Sequence, residues 1–227
     1  MTVFAEPKRL VVLTAGTGNP SSTRQLADRL AQKSLDLLDA AGAAATVSVV
    51  ELGPLAADTA RAAVAGFPNE AVQKAIDTVA AADAIIVATP VYKAGISGVL
   101  KTFVDILDND LIVAKPVLLA ATGGSPRHAL VVDDQLRPLL AYMRALTLPT
   151  SIYAAPEDWG STELGRRIER AATELTVLVQ ARVEQEIIDH AWSGYQHQFA
   201  GNARRAEQTA ADVDFDSPLM RLATGGR

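Results

Sequence analysis

Five short apolar runs recur along the chain, separated by longer segments of mixed polarity. The runs cover residues 9–14, 46–52, 84–89, 116–121 and 150–154. The first, third and fourth are almost unbroken in their hydrophobicity, which is typical of strands that are covered on both faces in a parallel sheet. The second alternates more between apolar and polar positions, so we expect it near an edge of that sheet.

The segments between these strands have the start signals of α-helices. Residues that can cap a helix begin four of them: Ser22, Asn69, Ser97 and Ser161. The predicted helices span residues 22–41, 69–81, 97–107, 129–145 and 162–191. The Ala-rich stretch 53–68 fits a loop, a short helix or a lid over a site.

Strands that alternate with helices imply right-handed βαβ crossovers and therefore one doubly wound α/β sheet. A length of 227 residues suits one such domain with an appendage. We predict a domain over residues 1–190 and a C-terminal extension over residues 191–227, where apolar residues follow no steady period. We expect the extension to dock on this subunit or on a neighbouring one, with partial disorder as the alternative.

Composition narrows the classes of partner and of chemistry. The formal net charge is −5, and no dense cluster of Lys and Arg with interleaved aromatic residues is present, which argues against nucleic acid and anionic membranes as partners. The chain has no cysteine, so redox chemistry would need a bound cofactor. The three histidines are scattered, so we expect no metal site. No apolar run is long enough for a signal peptide or a membrane span, which predicts a cytoplasmic protein.

The first loop, residues 14–24, has the composition of a phosphate-binding turn between a strand and a helix. Its glycines allow a tight backbone, and the start of the helix offers unpaired N–H groups and a positive partial charge. Four of its hydroxyls can donate to phosphate oxygens: those of Thr17, Ser21, Ser22 and Thr23. The alternative is an ordinary turn with a serine cap.

This loop matches neither of the two common nucleotide motifs. No Gly-Lys-Ser or Gly-Lys-Thr follows, which excludes a Walker A loop. Gly16 and Gly18 imitate the dinucleotide fingerprint, but Ser21 stands at its third glycine position. The acidic residue Glu51 also comes well beyond the spacing of ~20 residues that the fingerprint requires. A monophosphate therefore fits better than a pyrophosphate.

Two further loops follow the third and fourth predicted strands, at the edge where open α/β sheets bind ligands. The second loop, residues 89–105, contains Tyr92, which offers a flat face to a planar ring or packs on its own helix. The third loop, residues 121–128, contains two adjacent glycines that let the backbone approach a ligand. Its last residue, His128, is a hypothetical proton-transfer group and otherwise a solvated or capping residue.

Together, the three loops resemble those of the NADPH-dependent FMN reductase family of the flavodoxin-like fold, in an actinobacterial-type branch. The matching segments are 20–24 (PSSTR), 90–105 (PVYKAGISGVLKTFVD) and 121–130 (ATGGSPRHAL). The resemblance covers about residues 9–180. It implies a three-layer sandwich, with a five-stranded parallel sheet of order 2-1-3-4-5 and helices on both faces.

The resemblance also implies which residues hold FMN. The phosphate contacts fall on the first loop, at Thr17, Ser21, Ser22, Thr23 and Arg24. The isoalloxazine ring is flanked by the other two loops, at Pro90, Val91, Tyr92, Lys93, Gly123, Gly124 and Ser125, with His128 as a further candidate. The residues 17–19 and Ala94 depart modestly from the expected pattern.

By the same resemblance, NADPH or NADH reduces FMN by hydride transfer, and the flavin carries the chemistry without a catalytic side chain. The implied partners are a small-molecule electron acceptor, a second subunit in a homodimer or larger homo-oligomer, and a two-component monooxygenase that receives reduced flavin. Three alternatives stay open: an FMN-bound reductase of quinones, azo dyes or metal oxyanions; a flavodoxin-type electron carrier without nicotinamide activity; and a nicotinamide-only Rossmann domain.

Overall fold

The computed structural model describes residues 6–192, which form a three-layer α/β sandwich around one sheet. Its strands are β1 (Lys8–Thr14), β2 (Ala45–Glu51), β3 (Ala84–Tyr92), β4 (Gly95–Ile96), β5 (Pro116–Thr122), β6 (Leu146–Thr147) and β7 (Ile152–Ala154). The sheet order is β2-β1-β3-β5-β6, with β4 paired to β3 and β7 paired to β5. Except for the antiparallel pair of β3 and β4, the pairings are parallel.

The predicted count of five strands is wrong, because the sheet contains seven strands within the described residues. The five predicted strands are all present, and β2 lies at a sheet edge as expected. The two additional strands, β4 and β6, have two residues each, which is too short to produce a hydrophobic period. β6 pairs with the start of β5 and β7 with its end, so both occupy the position beside β5.

The helices cover both faces of the sheet. They are α1 (Ser22–Ala40), α2 (Leu52–Ala65), α3 (Glu70–Ala80), α4 (Gly98–Asp105), α5 (Arg137–Tyr142), α6 (Thr162–Gln180) and α7 (Val183–Ile187). One core joins α2 to α5 with one face of the sheet, and a second core joins α1 and α6 with the other. Because β1 is buried on both faces, its successive residues alternate between the two cores: Val11 and Leu13 belong to the first, and Leu10 and Val12 to the second.

Two helix predictions need correction, and the structure decides one stretch that the sequence left open. The undecided stretch 53–68 is mostly helical, since α2 begins directly after β2. The single helix expected over 129–145 is instead a π-helical turn, Val132–Leu136, followed by α5. The long helix expected to reach residue 191 ends at Gln180, because Arg182 adopts a left-handed conformation with φ of 51°.

The predicted cap at Ser22 is also displaced by one residue. Ser21 is the N-cap of α1, and its Oγ accepts a hydrogen bond from the N–H of Arg24 at 3.2 Å. Asn69 and Ser161 cap α3 and α6 through their side chains, as predicted. Ser97 stands at the N-cap of α4 but makes no side-chain cap bond.

Residues 193–227, nearly all of the predicted C-terminal extension, lie outside the described residues. The boundary at residue 190 and the docking of the extension stay predictions. From Glu6 to Trp192, the chain contains no helix that combines the length and the apolar character needed to cross a bilayer.

Candidate functional site

The three predicted loops meet at the carboxyl edge of the sheet, around a cavity of about 280 Å³. Nine predicted site residues line it: Thr17, Ser21, Ser22, Thr23, Pro90, Val91, Tyr92, Gly123 and Gly124. Four others lie outside the lining: Arg24, Lys93, Ser125 and His128. The tertiary structure therefore gathers residues from 17 to 124 into one site.

The first loop presents hydrogen-bond donors to one end of this cavity. The first turn of a helix leaves backbone N–H groups without intrahelical acceptors. Ser21 satisfies the N–H of Arg24, which leaves those of Ser22 and Thr23 for an anion at the start of α1. A Cβ on Gly16 would lie 2.1 Å from the Ser21 Oγ, so the capped turn requires glycine at this position. This end of the cavity fits a phosphate group.

A buried hydroxyl pair joins the first loop to the end of β5. The Oγ1 atoms of Thr23 and Thr122 are 2.7 Å apart, and both residues are buried. One hydroxyl donates to the other, which leaves a single hydroxyl hydrogen of the pair for another acceptor. Thr122 also lines the cavity but was not among the predicted site residues. Its position, a polar residue at the carboxyl end of an apolar strand, could have indicated it.

Tyr92 spans the cavity from the second loop toward the first. Its side chain is 51% exposed, and its hydroxyl is 3.2 Å from the Thr17 Oγ1. Tyr92 is the last residue of β3 and pairs with Gly95 of the two-residue β4, and its ring borders the cavity. The aromatic face and the adjacent Pro90 and Val91 fit the flat side of a planar ring.

Tyr153 on β7 supports the third loop. This role was not predicted from the sequence. The Tyr153 hydroxyl donates to the Ser125 carbonyl at 2.5 Å. Burial raises the pKa of this hydroxyl above its ordinary value, and the carboxylates of Asp158 and Glu157 raise it further, so it remains a donor at neutral pH. A Cβ on Gly123 would lie 2.1 Å from the same hydroxyl, which explains the glycine there.

His128 and Ser125 are not part of the cavity lining. Ser125 caps the short 3-10 turn Pro126–His128, and its Oγ accepts from the N–H of Arg127 at 3.1 Å. His128 ends this turn with a partly buried side chain. Its proton-transfer role stays a hypothesis. No group of His, Asp and Glu between residues 6 and 192 is arranged to hold a metal ion.

Arg24 does not line this cavity but a neighbouring one of about 590 Å³, which shares residues 16–18, 20 and 21 of the first loop. Its Nε is 2.7 Å from Asp28 Oδ1, and its Nη1 is 2.5 Å from Glu51 Oε1. The hydrogen bond to Asp28 raises the pKa of the guanidinium; Glu51 adds to this rise, while partial burial opposes it. Its phosphate contact stays a prediction, and the two ion pairs compete with it.

We expect Arg24→Ala to change the FMN dissociation constant by less than about fivefold. Partly exposed ion pairs are worth about 0.2–1 kcal/mol, whereas a hydrogen bond to a charged phosphate is worth about 1.5–3 kcal/mol. Calorimetric titration with FMN separates these ranges, and Arg61→Ala, which removes an exposed pair with Asp58 on α2, is the matched control. A loss of more than about tenfold with Arg24→Ala alone would place its guanidinium on the phosphate.

The sequence profile of the NADPH-dependent FMN reductase family matches residues 8–160, which include all three loops. NADH-dependent FMN reductase SfnE of Pseudomonas putida is 37% identical over 174 residues, which cover 74% of this chain and 91% of that protein. FMN reductase (NADPH) of Pseudomonas aeruginosa is 36% identical over 186 residues, covering 80% of this chain and 97% of the relative.

Solved structures agree with these sequence relatives. An oxidoreductase from Corynebacterium diphtheriae superposes with a TM-score of 0.76 at 42% identity, over 78% of this chain and 99% of that one. The apo form of the NADH:FMN oxidoreductase EMOB superposes with a TM-score of 0.64 at 27% identity, over 75% of this chain and 89% of that one.

Proposed function

Because the chain belongs to the NADPH-dependent FMN reductase family, it is an NAD(P)H-dependent oxidoreductase that reduces FMN, and we propose that its three loops hold the flavin. The family, the enzyme class and the cofactors predicted from the sequence are thereby confirmed. The single observation that carries the site is the convergence of the three loops on one cavity at the carboxyl edge of the sheet.

The start of α1 would hold the FMN phosphate. Ser22 and Thr23 are the first two residues of α1, and Thr17, Ser21 and Ser22 also line the cavity. These donors are uncharged, so the positive end of the helix supplies the electrostatic attraction. The tight turn at Gly16 supports the proposal, since any side chain there would displace the capping Ser21.

The second and third loops would hold the isoalloxazine ring. Pro90, Val91 and Tyr92 would contact one side, and the backbone of Gly123 and Gly124 the other. Backbone N–H groups of the third loop would stabilise negative charge on the ring without reorganisation. Bound FMN supplies the redox chemistry, since it accepts a hydride and passes the electrons on. The chain itself would position, orient and polarise the flavin, and the reaction requires no side-chain acid or base.

We further propose that the protein acts as a homodimer or larger homo-oligomer in the cytoplasm and supplies reduced flavin to a separate monooxygenase. Several large apolar side chains are exposed, among them Phe67 at 70%, Leu130 at 68% and Tyr142 at 71%. Contact with another subunit or protein would remove such side chains from water. Sedimentation analysis with and without FMN tests the oligomeric state.

The proposed function is tested by mixing the purified protein with FMN and either nicotinamide. We expect FMN binding by calorimetry and oxidation of NADH or NADPH that depends on FMN. Binding of FMN without oxidation of either nicotinamide would indicate an electron carrier. Absence of FMN binding would refute the proposed site. Gel filtration after turnover shows whether flavin stays bound, which separates a prosthetic group from a substrate.

A further inference from the structure

We propose that Gln135 is a positioning residue for the flavin site: its amide holds the strained turn between β3 and β4, and thereby the orientation of Tyr92. Gln135 lies in the π-helical turn Val132–Leu136, about 40 residues after the turn between β3 and β4. It is not part of the cavity lining, so it would act through the turn and not on the flavin. The inference rests on the proposed function, because Tyr92 is assigned to the same site.

The turn after Tyr92 has an unfavourable backbone for its sequence. Tyr92 pairs with Gly95 across an antiparallel hairpin, which leaves Lys93 and Ala94 as a two-residue connection. Their φ angles are 51° and 61°, both in the left-handed region. Tight hairpins need this conformation at both central residues and favour Asn-Gly there, because a Cβ opposes it. Lys93 and Ala94 do not stabilise the turn by themselves.

Gln135 provides two hydrogen bonds that the turn residues do not. Its Nε2 donates to the Ala94 carbonyl at 3.0 Å, and its Oε1 accepts from the Ile96 N–H at 3.2 Å. The two bonds join the peptide groups on either side of Gly95. A Cβ on Gly95 would lie 3.1 Å from the same Oε1, so glycine at this position lets the amide approach.

The element that carries Gln135 is itself fixed to the segment between β6 and β7. The Arg137 guanidinium donates to the Leu148 carbonyl at 2.7 Å and pairs with Asp133 at 2.9 Å. Asp133 also accepts from the Ser151 Oγ at 3.1 Å. The amide is therefore held by the segment between α5 and β7, and it connects the second loop to the helix that follows the third. The second loop is one proposed wall of the ring site, and the third loop, which precedes this π-helical turn in the chain, is the other.

The orientation of Tyr92 depends on this turn. Tyr92 is the residue immediately before the left-handed pair, and its hydroxyl reaches Thr17 on the first loop. Without the amide, Lys93 and Ala94 can relax toward the conformations that residues with a Cβ prefer, and the peptide plane after Tyr92 rotates. FMN would then have to order the turn when it binds, which weakens binding.

The test is Gln135→Leu, which keeps the size of the side chain and removes both hydrogen-bonding atoms. We expect the dissociation constant and the KM for FMN to rise about tenfold, the effect of one net hydrogen bond, with a smaller change in kcat. Ala94→Gly removes one of the two opposing Cβ atoms. In the Ala94→Gly background, Gln135→Leu should therefore weaken FMN binding by less than about threefold. Gln73→Leu on α3, where the amide bonds only Asp77 at the surface, is the matched control.

A measurement on the flavin-free protein separates this proposal from the proposed function. Hydrogen exchange at the Ile96 N–H should accelerate in Gln135→Leu and remain unchanged in Gln73→Leu. Faster exchange with unchanged FMN binding would overturn the positioning role and leave the function intact. Failure of the unsubstituted protein to bind FMN would refute the function, whatever the exchange result. If Gln135→Leu fails to fold, Gln135→Glu keeps the acceptor for Ile96 but not the donor to Ala94, and unaltered FMN binding there overturns the proposal.

Discussion

Ser22→Asp is expected to weaken FMN binding by at least about a hundredfold while leaving the fold intact. Two unit charges about 4 Å apart near a protein surface repel by roughly 4 kcal/mol, and the phosphate would meet this repulsion at the start of α1. The same carboxylate is favourable for the free protein, because a negative charge in the first turn complements the helix dipole. Ser22 is exposed, so the larger side chain displaces no neighbour.

Calorimetry with FMN and with riboflavin measures this prediction directly. Riboflavin lacks the phosphate, so its binding should be nearly the same in Ser22→Asp and in the unsubstituted protein. Ser161→Asp places the same charge at the start of α6, away from the cavity, and should leave FMN binding unchanged. Equal FMN affinity in Ser22→Asp and Ser161→Asp would show that the phosphate does not bind at the first loop.

Gly123→Ala is expected to weaken FMN binding by at least tenfold and to lower the free energy of unfolding by about 1–3 kcal/mol, as overpacked cores do. The added Cβ would lie 2.1 Å from the Tyr153 hydroxyl and 3.1 Å from its Cζ. Tyr153 is 6% exposed and cannot swing out freely, so either its bond to the Ser125 carbonyl or the third loop must move. Both changes alter the wall that would hold the ring.

Urea unfolding and FMN titration of three variants test this prediction. Tyr153→Phe removes the atom that the new Cβ would meet first, so it should restore part of the stability when combined with Gly123→Ala. Gly160→Ala, where a Cβ has no neighbour within 4 Å, controls for the general effect of replacing glycine. If Gly123→Ala is as stable as Gly160→Ala and binds FMN normally, the tight packing of Tyr153 on the third loop does not shape the site.

Several residues that line the cavity were predictable because their chemistry is local. The hydroxyls of residues 17–23 belong to one continuous turn, and their order along the chain is enough to place them at a helix start. Other supporting residues were not predictable. Thr122, Tyr153 and Gln135 act through partners 99, 28 and 39–41 positions away in the chain, and no local pattern indicates such pairs. The phosphate contact of Arg24 stays a prediction, and in the fold its guanidinium pairs with Asp28 and Glu51.

The sequence by itself determined the alternation of strands and helices, the doubly wound sheet and the family, since these follow from hydrophobic runs and from three short motifs. Only the tertiary structure decided the two extra short strands, the broken helix after the third loop and the ion pairs of Arg24. The physical reason is the distance along the chain over which each feature is determined. Burial of five or more consecutive residues produces a hydrophobic pattern in the local sequence. Two-residue strands, side-chain ion pairs and single hydrogen bonds depend instead on which distant elements the fold brings together.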